Sequence, residues 1–338
     1  MKKKTTIHDI ARELKIDSST VSRALSDSSR VKQKTKDLVE STAQRLGYQP
    51  NNLASNLRKK KSNSIGVIVP RISRHFFSSV IEGIDDIAYA QGYNLVICQS
   101  MDEIERERDL IKTLLANQVD GILISISMET KDVEHLVHLE EKGIPMVLFD
   151  RIHAGLNSSK VVIDDYEASF QATEHLIING AKRIAHFTGP KDVSIYADRL
   201  NGYTKALEKH KVHFEKELVL TSRLMEKDGI QCAEDILKLH QIPDGIFVSN
   251  DIAAIAAMKF LKAKGFKIPH DIAIVGFSNE PIASVMEPSL TTMDQPGFEI
   301  GKQAARILLD QINNPGLKSI RENVTIKSTL IVRESSVK

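Results

Sequence analysis

Seven short apolar runs punctuate the chain after residue 63: SIGVIVP, NLVICQS, DGILISIS and PMVLFD, then KRIAHFTG, DGIFVSN and DIAIVGFS. Helical stretches near residues 77–91, 104–117 and 132–142 separate the first four, and further helical stretches separate the rest. A strand that is apolar at nearly every position, rather than at every second one, is covered on both faces. That is the condition of parallel strands with helices on either side. The pattern predicts a two-lobed, doubly wound α/β body. In such sheets ligands sit beyond the carboxyl ends of the strands, and between two lobes they sit in the cleft.

At 338 residues, 41% hydrophobic and 27% charged, the chain has the composition of a globular protein too long for one typical domain. No run approaches the roughly 18 apolar residues of a membrane span, so no membrane partner is expected. The basic start, Met1 to Thr6, leads into a charged amphipathic helix rather than a secretory apolar region. Cys98 and Cys232 give neither a disulfide framework nor metal spacing, and a reducing cytoplasm is the expected setting. The net charge of +2 conceals a division. Residues 1–61 carry a balance of +9 and the remainder −7. A basic head on an acidic body points to a polyanion-binding module joined to something else.

In the head, Ile7, Ile10, Ala11 and Leu14 share one helical face, and Thr6 with Asp9 resembles a capping box. Asp17 is a good N-cap for a second helix with Val21, Ala24 and Leu25 inward. A third helix is expected from about Lys34 to Leu46, with Leu38, Val39, Thr42 and Leu46 inward and Gly47 ending it. Three short helices with a tight second turn form a helix-turn-helix bundle. The outward face of the second helix carries Ser18, Ser19, Ser22 and Arg23. Taken alone this is a solvated polar face. On a basic three-helix head it suits the major groove, because short hydroxyl side chains permit close approach and Arg23 is long enough to reach a guanine edge. The following segment, GYQPNNLASNLRKKKSNS, reads as a linker holding a short helix whose Leu53, Ala54 and Leu57 need an ordering partner.

The head sequence TIHDIARELKIDSSTVSRALSDSSRVKQKTKDLVESTAQRLGYQPNNLASNLR resembles the DNA-binding and hinge region of the lactose-repressor-type (LacI/GalR) family of bacterial transcription regulators. The segment SNDIAAIAAMKFLKAKGFKIPHDIAIVGFSNEPIASVMEPSLTTMDQP resembles that family's effector-binding core, which is similar to periplasmic sugar-binding proteins. The resemblance covers nearly the whole chain. It implies a helix-turn-helix domain over residues 1–50, a hinge helix and linker over 51–63, and a two-lobed effector and dimerisation domain over 64–338. A homodimer would bind double-stranded operator DNA, with Ser18, Ser19 and Arg23 reading bases. Thr6 and Ser22 would complete the DNA-facing set, with Thr20, Thr35, Tyr48 and Asn51 as backbone-positioning contacts. Ala54 would lie against the minor groove and Leu57 would wedge into the central base step.

For the body, the resemblance implies a small-molecule effector held by strand-end residues. Phe76 and Phe77 would pack against a sugar face or start a helix in the core, and Asp150 would accept ligand hydroxyls. Arg199 in DRLNGY matches the family's central arginine. Asn250 and Asp251 match a polar pair at a strand end, though Asp251 also serves as a helix-start charge. The chain departs from the family at GFSNE, where Ser278 stands in place of a frequent aspartate. A sugar or sugar phosphate is the expected effector and a purine the alternative. A second alternative is a sugar-binding or sugar-handling protein with an incidental basic head. No catalytic set is complete: GFSNE has Glu280 where a nucleophile elbow needs glycine, and GFEIGKQ falls one residue short of a P-loop. His135 and His138 have no metal-site companions. The chain is expected to be no enzyme and to need no cofactor or metal.

Overall fold

The computed structural model describes residues 5–48, 61–314, 316 and 320–337. The chain forms two compact units, Met1–Ser62 and Asn63–Lys338.

The first unit holds three helices, α1 (Ile7–Leu14), α2 (Ser18–Leu25) and α3 (Gln33–Arg45). Ile10, Ala11, Val21, Ala24, Val39 and Ala43 form its small core. The capping signals act as their chemistry requires. Thr6 N and Thr6 Oγ1 donate to Asp9 Oδ2 at 2.9 and 2.7 Å, and Ser19 N donates to Asp17 Oδ1 at 2.7 Å. Gly47, just past α3, adopts a φ of +64°, where a side chain would be strained. Leu38 is a correction to the expected core, since it is 52% exposed. It precedes Val39 by one residue and so lies about 100° round the helix from the buried stripe. That stripe runs through Lys36, Val39, Thr42 and Ala43. The Lys36 stem is buried while its ammonium pairs with Asp27.

The second unit contains two six-stranded sheets. In chain order its elements begin β1 (Ser64–Val69), α4 (His75–Ala90), β2 (Asn94–Gln99), α5 (Ile104–Ala116), β3 (Gly121–Ile124) and α6 (Glu134–Glu141). They continue with β4 (Met146–Phe149), β5 (Ser159–Ile163), α7 (Asp165–Ile178), β6 (Ile184–Thr188), α8 (Ser194–Lys209) and β7 (Val219–Thr221). Next come α9 (Glu226–Leu237), β8 (Gly245–Val248), α10 (Asp251–Ala263), β9 (Ala273–Phe277) and α11 (Ile282–Val285). The series ends with β10 (Thr291–Asp294), α12 (Gly297–Asn313), β11 (Asn323–Ile326) and β12 (Thr329–Ile331). The first sheet has the order β11-β5-β4-β3-β1-β2 and the second β12-β10-β9-β8-β6-β7. All pairings are parallel except β10 with β12.

Every one of the seven apolar runs is a strand. The strands that the pattern did not mark differ in physical character. β11 and β12 are edge strands and half-exposed, whereas β5 alternates between buried and partly exposed positions. β10 reads TTMD and is buried because its hydroxyls find partners: Thr291 Oγ1 donates to Arg333 O and Thr292 Oγ1 to Asp251 Oδ1. The chain crosses between lobes three times, after β5, after β10 and between β11 and β12. In consequence α7 packs on the second sheet and α12 on the first.

Helices α4 and α12 touch backbone to backbone. A Cβ on Gly83 would lie 2.0 Å from Phe298 O, and one on Gly301 would lie 2.1 Å from Val80 O. Neither obstacle is a flexible side chain, so the helices would have to separate. Gly301→Ala is expected to destabilise the body by about 1–3 kcal/mol. Urea unfolding followed by far-UV circular dichroism checks this, and an unchanged midpoint would refute the close-contact argument.

Candidate DNA-reading face and candidate ligand cleft

Helix α2 presents its polar residues in two successive turns, Ser18 and Ser19 in the first and Ser22 and Arg23 in the next. Ser19 and Arg23 are exposed, and Ser18, Thr20 and Ser22 are half-buried. The Ser19 backbone N–H holds the Asp17 carboxyl below its ordinary range, so the cap stays ionised and the helix start is satisfied from within. Thr6 is exposed at the start of α1, Thr35 is half-buried in the first turn of α3, and Tyr48 packs against the head core. Asn51, Ala54 and Leu57, with the expected hinge helix, lie outside the described residues.

In the body, Phe76, Phe77, Asp150, Arg199, Asn250, Asp251 and Ser278 all line one cavity. Its empty space, with the open mouth included, is about 510 Å³. The fold brings them together because each sits just past a strand or on the helix that follows it. Asp150 follows β4, Asn250 and Asp251 follow β8, Ser278 follows β9, and Arg199 lies on α8 after β6. Phe76 and Phe77 open α4 as an edge-to-face pair with ring centres 5.0 Å apart.

Several of these side chains are already used by the protein. Arg199 donates from Nε to Asp165 Oδ1 at 2.7 Å and from Nη1 to Ser249 O at 2.8 Å, and its Nη2 is ion-paired with the same Asp165 oxygen at 2.7 Å. Its guanidinium carbon lies 3.6 Å from the Phe277 ring centre, so the plane is pinned and the remaining N–H groups are aimed. Burial pushes Asp165 up to about 7 against the opposing charge of Arg199. Asn250 Oδ1 caps α10 by accepting from Ala253 N at 2.8 Å, and Asn250 Nδ2 donates to Leu224 O at 2.9 Å. Asp251 is fully buried and accepts from Thr292 Oγ1 at 2.7 Å and Glu280 N at 2.8 Å. Burial pushes its carboxyl up to about 7 as well. A Cβ on Gly276 would come within 2.1 Å of Asp251 Oδ1, so the glycine of GFSNE makes room for this carboxylate. Ser278 donates to Gln295 Oε1 at 2.7 Å and holds a φ of +105°, with Asn279 next at +49°. Two strained residues in succession turn the loop sharply at the cavity wall.

The unspent capacity lies elsewhere. Asp150 adopts a φ of +59° and accepts one bond, from Ser125 Oγ at 2.9 Å. Burial raises its pKa while Arg151 and Arg199 pull it down, so this carboxyl gains from further donors. Arg151 is 6% exposed and pairs with Asp102, yet its Nε has no hydrogen-bond partner. Ser249 Oγ is likewise buried and without a partner. Glu280 Oε1 accepts from His75 N at 3.2 Å, joining the second lobe to the first turn of α4. Arg74, whose pKa burial lowers and the Glu280 charge raises, stands beside it in the cavity wall. Arg74, Arg151, Tyr196, Ser249 and Glu280 also line the cavity and were missed by motif reasoning. Their signal was positional, since Arg151 and Ser249 flank residues already chosen at strand ends.

Residues 173–336 match the periplasmic binding protein-like domain, and residues 6–51 match the bacterial regulatory proteins of the lacI family. The chain is 34% identical over 333 residues to the ribose operon repressor of Halalkalibacterium halodurans, covering 98% of this chain and 97% of that protein. The chain belongs to the lacI family of bacterial regulatory proteins. Among solved structures it resembles the transcriptional regulator CelR in complex with cellobiose, at 27% identity and a TM-score of 0.75, over 98% of this chain and 100% of that one. It also resembles a LacI family transcriptional regulator from Enterococcus faecium with bound ribose, at 28% identity and a TM-score of 0.70, over 81% and 98% of the two chains. As a lacI-family member it is a DNA-binding transcriptional regulator and not an enzyme. Among the described residues no helix is long and apolar enough to cross a membrane.

The buried carboxyls make the body's stability depend on pH. Asp165 has a folded-state pKa of about 7, above its ordinary value. Its contribution is therefore fully present below about pH 4 and is lost as pH rises through 7. Asp165→Asn removes that dependence. From pH 5 to 8 wild-type stability should fall relative to the variant, by at most about 1.4 kcal/mol per pH unit. Parallel urea titrations at both pH values check the sign, and a wild type that gains on the variant contradicts it.

Proposed function

We propose that this regulator is a ligand-controlled repressor of carbohydrate-use genes that binds a near-palindromic operator as a homodimer in the cytoplasm. Residues 1–50 act as the reading head, 51–63 as the hinge, with Ala54 and Leu57 at the minor groove, and 64–338 as the effector and dimerisation body. The carrying observation for the effector is that strand ends of both lobes converge on one cavity whose unspent groups are a carboxylate, a guanidinium N–H and a hydroxyl. A polyol, each of whose hydroxyls both donates and accepts, matches that set. The ribose operon repressor and the ribose and cellobiose complexes among its relatives support the same class. Phe76 and Phe77 are each 6% exposed and packed edge to face, which leaves little open ring for a stacked purine.

A gel shift on the DNA upstream of the chain's own gene, with and without sugars, tests the whole reading. For the head, Arg23→Ala should lose about 1–3 kcal/mol of specific binding while weak binding to random DNA persists. Equal losses on both DNAs would make Arg23 a phosphate contact instead. For the cleft, Arg199→Ala is a poor probe because it strands Asp165 in the interior. Asp150→Asn keeps its shape and the Ser125 contact, so it should bind operator normally while its affinity for the effector sugar falls roughly 10- to 100-fold. Calorimetry reads the second quantity, and unchanged sugar affinity would remove Asp150 from the site.

A further inference from the structure

We propose, resting on the carbohydrate reading of the cleft, that Glu280 is a built-in anion that occupies the cationic corner of the cavity, so that the effector is a neutral polyol and sugar phosphates and uronates are excluded. The corner has two parts. Helix α4 begins there with its backbone N–H groups, and Arg74 stands at its N-cap within reach of the Glu280 charge, while Arg151, paired with Asp102, lines the same cavity with a buried Nε that lacks a partner. A helix N-terminus beside guanidinium groups is what a phosphate or carboxylate would seek. In this chain the place is filled from the opposite lobe. The loop after β9 turns through Ser278 and Asn279, both at positive φ, and Glu280 Oε1 accepts from His75 N at 3.2 Å. Glu280 N is held in turn by Asp251 at 2.8 Å, so the loop that carries the carboxylate is fastened at its base.

An entering anion would have to displace Glu280 from α4 or lie against a like charge. At near contact and an effective dielectric constant of about 20, that repulsion amounts to a loss of up to roughly a thousandfold in affinity. A neutral polyol meets no such barrier. Its hydroxyls donate to Asp150 and accept from Arg151 Nε and Ser249 Oγ, leaving the Glu280 clasp in place.

The full chain tests this with inorganic phosphate as the probe and thermal unfolding as the readout. Glu280→Gln keeps an acceptor for His75 N while removing the charge. Phosphate should raise its Tm by about 2 °C or more beyond any rise in wild type, and the gain should vanish in Glu280→Gln combined with Arg74→Ala. The head is common to all three proteins, so its own phosphate binding cancels. Equal shifts in wild type and Glu280→Gln, or a gain that survives loss of Arg74, would overturn the proposal. Should Glu280→Gln lack a cooperative transition, calorimetry of wild type decides. Ribose against ribose 5-phosphate and glucose against glucuronate should each favour the neutral member by at least roughly tenfold, and an anionic member bound as tightly as its neutral counterpart overturns the exclusion. Binding of a purine and of no sugar, with the phosphate result as expected, would overturn the carbohydrate reading while leaving the exclusion of anions standing.

Discussion

Parallel strands covered on both faces leave a chain only their ends for chemistry. In this body the strand-end polar groups of the cleft obey that constraint: β4, β8 and β9, and β10 up to its last residue, are buried along their lengths and release Asp150, Ser249, Ser278 and Gln295 only beyond their ends. The same constraint buries the carboxyls around the cleft, and burial governs its electrostatics. Asp165 and Asp251 are pushed up to about 7 by burial even though Arg199 and Thr292 oppose the shift. Charges in such a place must be positioned by their neighbours, which is why Arg199 and Asp251 spend so much of their hydrogen-bonding capacity on the protein itself.

This division of labour also explains what the sequence could reveal. Strands covered on both faces are legible because their composition has no period, whereas β11 and β12 are short edge strands with weak patterns. The cavity wall was legible as positions: Asp150, Asn250, Asp251 and Ser278 stand at strand ends, and the fold brings them together. What each side chain does there was not legible, because it depends on partners distant in sequence. Thr292 is 41 residues from Asp251, and Asp165 is 34 from Arg199. Glu280 could be read as the residue that spoils a nucleophile elbow, but only the approach of α4 from the other lobe shows its contact with His75. In the head, Leu38 failed because hydrophobicity was read without phase, while Lys36 occupies the buried stripe by folding its stem inward and its charge onto Asp27.

The head and body divide the physics of regulation between them. The head is small, basic and capped from within by Asp9 and Asp17, so its exposed hydroxyls and Arg23 need not stabilise it. The body is larger and holds the buried charges Asp150, Arg151, Asp165, Arg199 and Asp251. Contacts between its lobes, Lys131 with Asp192 at 2.8 Å and Arg223 with Glu129 at 3.1 Å, join exposed side chains and are individually weak.

The three crossings between the lobes carry a mechanical consequence. One covalent connection would let two lobes swing and twist about every axis, whereas three connections limit twisting and sliding more than they limit folding toward each other. A small molecule seated between them, as proposed for the cleft, would act chiefly on the angle between the lobes rather than as a general stiffening.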